Sequence, residues 1–360
     1  MTEAVAASVE SLKTSTTLSV ITLTRLVAQT LEAARMEPES AFRAAELLVY
    51  AQASGLDTHG VTHLPSYVRR LLDGTINPRP MLQFENTQGA ATVLDAHDAL
   101  GCIAADAAMR EAMTRAATFG VGCVAVRNSS HFGPAGVYVQ AAASAGYVAL
   151  ALSNASATIA PWGARESILG TNPIATAFPR ANAEPVVVDM ATSAAARADV
   201  RKAAAQGAAI PAHWALDSSG RPTTDAQSAL QGSMQPLGGH KGFALALMVE
   251  MLCSCLAGGA PGFEVRVPQD TAPESCKVSH FFLALEPGAF AGAEEVGLGV
   301  ETLANTIENS VPRDPNEPVR VPGSASAAAR ARSDAQGIKL SDVLLQALRE
   351  SAALVHTANG

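Results

Sequence analysis

The sequence predicts a mixed α/β protein, and three observations carry that prediction. Short β-rich runs alternate with segments whose apolar residues recur at helical spacing. The 360 residues are 48% hydrophobic and 16% charged, which suffices for a substantial core and excludes wholesale disorder. The glycine fingerprint GxGxxG is missing, since Gly297 and Gly299 have no third glycine at the required spacing. A conventional Rossmann domain is therefore not expected.

The individual elements follow from local spacing and composition. Helices are predicted over 23–34, 39–54, 64–73, 104–118, 135–145, 241–256, 324–332 and 343–354. Strands are predicted over 91–95, 121–126, 148–152, 185–189 and 281–285. Pro38 suits the first turn of the second helix, and Gly74 with the prolines of INPRP ends the third. The first 17 residues are small and polar and are predicted to be frayed.

Charge and hydropathy exclude two classes of partner. The formal net charge is -8 without a basic run, so phosphate backbones are repelled and no nucleic-acid partner is expected. The most apolar stretch, 243–256, contains Glu250 and is too short to span a bilayer. The N-terminus lacks the basic start and apolar block of a signal peptide. The sequence thus predicts a cytoplasmic protein without a membrane partner.

The cysteines predict reduced, mostly buried thiols. They are odd in number, and none forms a CxxC pair. They are Cys102, Cys123, Cys253, Cys255 and Cys276. The sequence contains no HExxH motif and no close cluster of metal-ligand residues, so no metal site is predicted. It also lacks GxSxG, so no α/β-hydrolase nucleophile is predicted.

Two histidines lie in segments rich in turn-forming and hydroxyl residues. His59 follows Asp57 and Thr58 just after a predicted helix, and His131 occurs in NSSHFGPAGVY, where a β-rich run turns into a helix. A histidine at the end of a rigid element can act as a general acid, with its tautomer fixed by a neighbouring group. The alternative for each is a histidine that caps a helix or satisfies a backbone carbonyl.

Two glycine-containing turns are typical of anion sites. In HFGPAG, Gly133 and Gly136 leave backbone N–H groups uncovered at a helix start. In LGGHKG, two glycines precede His240 and Lys241, and a lysine beside free amides suits a phosphate. The alternative for the second turn is a glycine turn with a solvated lysine.

These segments resemble those of the malate/L-lactate dehydrogenase family. The matching pieces occur in order over residues 20–345, and they are GLDTHGVTHLPSYVRRL with INPRP, VRNSSHFGPAGVY, APWGARESILGTNP, VVVDMATS, WALDSSGRPTTD, PLGGHKGFALALMVEML, SHFFLALEP and VPGS. The resemblance implies a non-Rossmann dinucleotide-binding fold with a mostly antiparallel sheet flanked by helices. It also implies a homodimer with active sites near the subunit interface. We expect a helical, substrate-side domain over 1–120, joined by the C-terminal helix of about 325–357, and a cofactor-binding domain over 121–324.

The resemblance also implies roles for individual residues. His59 corresponds to the proton donor, with Thr58 beside it and Asp189 as the relay carboxylate. His131 corresponds to the second histidine of the site, to which some members assign the catalysis instead. His63 and Tyr67 are expected to contact the substrate. The residues expected to contact the cofactor are His131, Phe132, Gly133, Pro134, Ala135, Asp189, Met190, Ala191, Gly239, His240, Lys241, His280, Pro322, Gly323 and Ser324.

The sequence departs from the family pattern at three positions. His63 stands where many members have an arginine that clamps the substrate carboxylate, and imidazole is shorter and not always charged. Ala164 replaces a common glycine in the PWGARE turn, and Ser324 replaces a common acidic residue after Pro322-Gly323. The substrate and the cofactor contact at Ser324 are therefore open.

The predicted activity is hydride transfer between a nicotinamide cofactor and a small 2-oxo or 2-hydroxy acid of the malate, lactate or sulfolactate type. The cofactor is NAD or NADP, with NADPH preferred. One alternative is reduction of a cyclic imino acid such as piperideine-2-carboxylate or pyrroline-2-carboxylate. Another, from a different class, is a non-catalytic dinucleotide-binding protein, against which the retention of Thr58, His59, His131 and Asp189 argues.

Overall fold

Helices and strands alternate along the chain in the computed structural model, which describes residues 7, 9–266 and 274–359. The α-helices with described bounds are α1 (Val20–Ala33), α2 (Pro38–Ala53), α3 (Leu64–Leu72), α4 (Gly101–Phe119), α5 (Gly136–Ser144), α6 (Arg197–Gln206), α7 (Ala226–Leu230), α8 (His240–Glu250), α9 (Ala293–Glu308), α10 (Ser324–Gln336) and α11 (Asp342–Asn359). The strands are β1 (Thr17–Leu18), β2 (Gln83–Gln88), β3 (Ala91–Asp95), β4 (Val121–Ser129), β5 (Val148–Ser153), β6 (Ile174–Phe178), β7 (Val186–Met190), β8 (Ala215–Leu216), β9 (Ser233–Met234), β10 (Val278–Leu285) and β11 (Ile338–Lys339).

A seven-stranded sheet in the order β2-β3-β4-β10-β5-β6-β7 organises the fold. The pair β3 and β4 is parallel, and the other neighbouring pairs are antiparallel. The expected α/β fold with a mostly antiparallel sheet flanked by helices is therefore confirmed. Strands from both sides of residue 120 join this one sheet, and the predicted division into two domains stays a prediction.

Both faces of the sheet are covered by apolar residues, because side chains alternate along each strand. On β10, Phe282 packs into the larger core, which α1 to α5 and α11 also supply. The neighbouring Phe281 packs on the opposite face against Val249 of α8 and Cys253. Cys253 lies in a π-helical segment, Met251–Cys255, that continues α8 within the predicted helix 241–256. A smaller core between 159 and 246 includes Ile159.

Most of the predicted elements are confirmed within a few residues, and the missed ones have weak patterns. The edge strand β2 reads QFENTQ and is mostly exposed, so it shows no buried alternation. Helix α9 contains both Gly297 and Gly299, which disfavour a helix prediction but lie in its interior here. The prediction of a frayed start falls partly on residues 1–6 and 8, which lie outside the described residues. At its end, Thr17 pairs with Lys339.

The five cysteines all lie among the described residues, and none of them forms a disulfide there. Three are buried, and Cys255 is the exposed one. Among the described residues, no helix combines the length and the apolar composition that crossing a membrane requires.

Candidate active site

Three imidazoles and a phenol meet where the turn after α2 approaches the end of β4. Two short 3-10 turns, Asp57–His59 and Val61–His63, follow α2 and lead into α3. The ring centroid of His131 lies 6.0 Å from that of His59 and 4.7 Å from that of His63. The ring of Tyr67 lies 5.9 Å from that of His63. The fold thus brings together four side chains that the sequence analysis selected.

A hydrogen bond between Tyr67 and His131 orders the inner part of this cluster. The Tyr67 hydroxyl lies 2.6 Å from Nδ1 of His131, and Tyr67 is only 3% exposed. Burial raises the pKa of Tyr67 well above its usual value, so the phenol keeps its proton. Burial, with smaller contributions from His63, His59 and His280, lowers the pKa of His131 well below its usual value. A neutral His131 that accepts this bond at Nδ1 carries its own proton on Nε2.

His63 is bonded to the turn that carries the first histidine. Its Nε2 lies 2.6 Å from the carbonyl oxygen of Thr58, and because a carbonyl only accepts, Nε2 carries the proton. Burial lowers the pKa of His63, which keeps the ring neutral near neutral pH. His63 therefore stabilises the Thr58–His59 turn in this structure, and its expected contact with a substrate carboxylate stays a prediction.

His59 lies at the open side of the cluster. Its Nδ1 is 3.0 Å from the hydroxyl of Thr58, and both side chains are exposed. Desolvation by the surrounding protein, with a smaller contribution from His63, lowers the pKa of His59 to about 4. The ring is therefore neutral near neutral pH, with one nitrogen held by a hydroxyl and its outer side accessible to a ligand.

The Asp189 carboxylate is held at the start of α5. Its Oδ2 accepts the backbone N–H of Gly136 at 2.8 Å, and a Cβ at Gly136 would lie 2.7 Å from the same oxygen, so this close approach requires glycine. Desolvation raises the pKa of Asp189, and the Gly136 bond partly offsets that rise. Among the hydrogen bonds and ion pairs of the described residues, none joins Asp189 to His59. The relay role of Asp189 stays a prediction.

The ring of His280 supports the predicted cofactor loop from inside the protein. It is fully buried and stacks on Phe132 with centroids 4.5 Å apart and an interplanar angle of 10°. Its Nε2 lies 2.9 Å from the hydroxyl of Ser129, and its Nδ1 lies 2.9 Å from that of Ser153. Burial lowers the pKa of His280 to about 3. The structure places the ring beneath Phe132, shielded from solvent, and the cofactor contact expected from the sequence stays a prediction.

Two of the predicted cofactor segments meet at a cavity of about 450 Å³, named here the Asp189 cavity. Its wall includes Asp189 and Met190 on one side and Pro322 with Gly323 on the other. The carbonyl of Pro322 accepts the backbone N–H of Val187 at 3.3 Å, which holds the turn against β7. The hydroxyl of Ser324 donates to the carbonyl of Val321, so it stabilises its own turn.

The turn Gly239–Lys241 lies at the start of α8, away from this cavity's lining. Lys241 and His240 are exposed, and the ring of His240 lies 6.2 Å from that of Trp162. Within the described part of the chain, no hydrogen bond or ring contact joins this turn to the histidine cluster. Its role in cofactor binding stays a prediction.

Sequence reasoning missed several polar residues around the site. Ser129 and Ser153 fix the two nitrogens of His280, and Tyr50 with Arg330 lines the Asp189 cavity. The serines lie at strand ends, which a β-rich pattern does not distinguish from other hydroxyl positions. The side chains of the described residues include no group of three or more His, Cys, Asp or Glu arranged to hold a metal ion.

The fold agrees with that of dehydrogenases of known structure. Superposition on sulfolactate dehydrogenase from Methanocaldococcus jannaschii gives a TM-score of 0.88 at 33% identity, covering 95% of this chain and 98% of that one. The chain belongs to the malate/L-lactate dehydrogenase family, whose model matches residues 18–349.

Two relatives show the range of activities in the family. A (2R)-3-sulfolactate dehydrogenase (NADP(+)) from Chromohalobacter salexigens is 37% identical over 319 residues, which is 88% of this chain and 92% of that protein. A Delta(1)-pyrroline-2-carboxylate reductase from Pseudomonas fluorescens is 34% identical over 305 residues, 85% and 89% of the two chains. The protein is accordingly an oxidoreductase of the kind that acts on small hydroxy or imino acids with a nicotinamide cofactor.

Proposed function

We propose that the protein interconverts a small 2-oxo acid and its 2-hydroxy acid, with His59 as the group that exchanges the proton. The observation that supports this most is the arrangement of His59 and His131, whose ring centroids lie 6.0 Å apart. Two imidazoles at that separation can both reach one substrate oxygen between them. Family membership favours this enzyme over a non-catalytic dinucleotide-binding protein.

The residues around the site fit a nicotinamide dinucleotide. The Asp189 cavity is bounded by two of the expected cofactor segments, and about 450 Å³ is the size of a small-molecule site. The residues that would hold the cofactor are Asp189 with Met190, Pro322 with Gly323, and the loop from His131 to Ala135. When bound, the nicotinamide supplies or accepts the hydride.

The side chains of the cluster have distinct parts in the proposed reaction. In the reductive direction His59 donates a proton to the substrate oxygen, and in the oxidative direction the neutral His59 accepts it. His131, oriented by Tyr67, presents its Nε2–H to the same oxygen and stabilises the developing negative charge. Thr58 holds Nδ1 of His59, which leaves Nε2 for the substrate.

A cyclic imino acid is the second candidate substrate, and the neutral state of the three histidines favours it. The pKa values of His59, His63 and His131 are all lowered, chiefly by desolvation, so the free enzyme holds little protonated imidazole near pH 7. A protonated imine already carries its proton and needs only hydride. Its charge also balances its carboxylate, which lessens the need for the arginine that His63 replaces.

The test is substitution of His59 combined with a substrate panel. His59→Asn should reduce turnover of the best 2-oxo acid by about 10²- to 10⁴-fold, while dinucleotide affinity changes little. The exposed His356 provides a matched control, and His356→Asn should keep full activity. Retention of more than about a tenth of turnover would remove His59 from the reaction. Pyruvate, oxaloacetate, sulfopyruvate, piperideine-2-carboxylate and pyrroline-2-carboxylate form the panel, and a preference for the last two would establish the second candidate.

A further inference from the structure

A second cavity, of about 420 Å³, adjoins the Asp189 cavity and is named here the Arg43 cavity. Four residues line both cavities, and they are Tyr50, Val137, Gln140 and Arg330. Because these side chains border both spaces, a ligand group that reaches Tyr50 or Arg330 from the first cavity also reaches the edge of the second. The second cavity lies outside the segments that the family resemblance assigns to cofactor binding.

Two residues that line the Arg43 cavity each carry a buried hydrogen-bond donor that has no partner within the described residues. They are Nε of Arg43 and the hydroxyl of Tyr50. Burial raises the pKa of Tyr50 to about 12, so its hydroxyl keeps a proton to donate. Buried donors are nearly always satisfied in folded proteins, and two on one cavity wall therefore point to an acceptor that binds there.

Arg330 adds a positive charge at the border of the two cavities. Its guanidinium lies over the ring of Tyr50, 4.8 Å from the centroid, and its side chain is only 15% exposed. Its resident partner is Glu184, whose Oε2 lies 2.9 Å from Nη2 and whose side chain is 63% exposed. An exposed carboxylate is a weak partner, whereas a phosphate can bind a guanidinium through two parallel hydrogen bonds. An incoming phosphate can therefore displace Glu184.

Two carboxylates are engaged with Arg43. Glu46 lies 3.0 Å from Nη1 of Arg43, and Asp106 lies 2.6 Å from its Nη2. These bonds use the two terminal nitrogens of Arg43 and leave Nε as its unpartnered donor among the described residues. Gln140 also donates to Glu184 at 3.0 Å, so displacement of Glu184 frees a further donor.

We propose that Arg330, Tyr50 and Arg43 form a site for the 2′-phosphate of NADPH, and that the enzyme prefers NADPH to NADH. The proposal rests on the proposed function, since the dinucleotide must first occupy the Asp189 cavity. A 2′-phosphate supplies acceptor oxygens and negative charge to the unpartnered donors and to Arg330. The 2′-hydroxyl of NADH supplies one weak acceptor and leaves the Glu184 pair in place.

Isothermal titration of the whole protein tests the proposal without turnover. The probes are adenosine 2′,5′-bisphosphate against 5′-AMP, and NADPH against NADH. We expect each 2′-phosphorylated ligand to bind the wild type at least about tenfold more tightly than its partner. Arg330→Gln should remove that preference, because it should lower NADPH affinity more than NADH affinity. Tyr50→Phe, which keeps the ring, should reduce the preference for 2′-phosphorylated ligands in part. Glu184→Gln should increase that preference because it removes the competing carboxylate.

Arg332→Gln is the matched control, because Arg332 lies on the same helix and is exposed. It should leave all four affinities unchanged. Equal binding of adenosine 2′,5′-bisphosphate and 5′-AMP to the wild type would overturn the proposal, as would an equal loss of NADH and NADPH affinity in Arg330→Gln. Binding of neither dinucleotide would instead overturn the proposed function itself.

Discussion

The phenolic oxygen of Tyr67 lies 2.6 Å from Nδ1 of His131 and couples helix α3 to the loop that follows β4. Tyr67 is buried and keeps its proton, so the bond selects one tautomer of the neutral imidazole. Tyr67 thereby sets the orientation of His131, which is proposed to contact the substrate. The Tyr67 hydroxyl faces His131, and the expected contact of Tyr67 with the substrate stays a prediction.

Tyr67→Phe should lower kcat more than it raises KM. The ring still fills its place in the core, but Nδ1 of His131 loses its donor, and the imidazole is free to exchange tautomers. We expect kcat to fall by about tenfold with the far-ultraviolet spectrum unchanged. Tyr147→Phe, at a half-buried tyrosine outside the cluster, is the control and should keep full activity. A rise in KM at constant kcat would indicate a direct substrate contact.

The pH dependence of the two reaction directions should report the lowered pKa of His59. Reduction needs the protonated ring, and the pKa is lowered from 6.5 to about 4. Because the protonated fraction keeps increasing below neutral pH, kcat/KM for reduction should rise about tenfold per unit from pH 7 to pH 5. Oxidation needs the neutral ring and should be constant between about pH 6 and 8. A reduction profile that levels off at about pH 6.5 would show an unperturbed imidazole.

His280 should make the protein less stable in mild acid. The folded ring has a pKa of about 3, whereas an unfolded histidine titrates near 6.5, so the unfolded chain binds more protons between these values. The contribution of His280 to the free energy of unfolding is fully present above about pH 6.5 and is lost as the pH decreases. Between pH 7 and pH 5 this loss amounts to about 2 kcal/mol. Urea unfolding at about pH 7 and about pH 5 measures the loss of unfolding free energy between the two pH values. This loss should be smaller in His280→Asn than in the wild type by that amount. Equal losses in the two proteins would mean that His280 does not stay neutral in the fold.

Most helices and strands were predictable from the sequence because they depend on the spacing and composition of neighbouring residues. Apolar spacing located α2 and α4, and β-rich composition located β4 and β10, each within a few residues. The missing glycine fingerprint correctly excluded a Rossmann domain, but it also drew attention to Gly297 and Gly299, which lie inside α9. The strand β2 is polar and lies at the sheet edge, so neither periodicity nor composition marked it.

The sequence by itself determined the α/β fold class, the candidate histidines and, through ordered motifs, the family. Only the tertiary structure decided that His63 bonds to the Thr58 carbonyl, that His280 is buried beneath Phe132, and that Arg330 borders a cavity. The physical reason is the range of the interactions involved. Helix and strand preferences act between residues a few positions apart, whereas burial, tautomer and pKa depend on groups that folding brings together from distant parts of the chain.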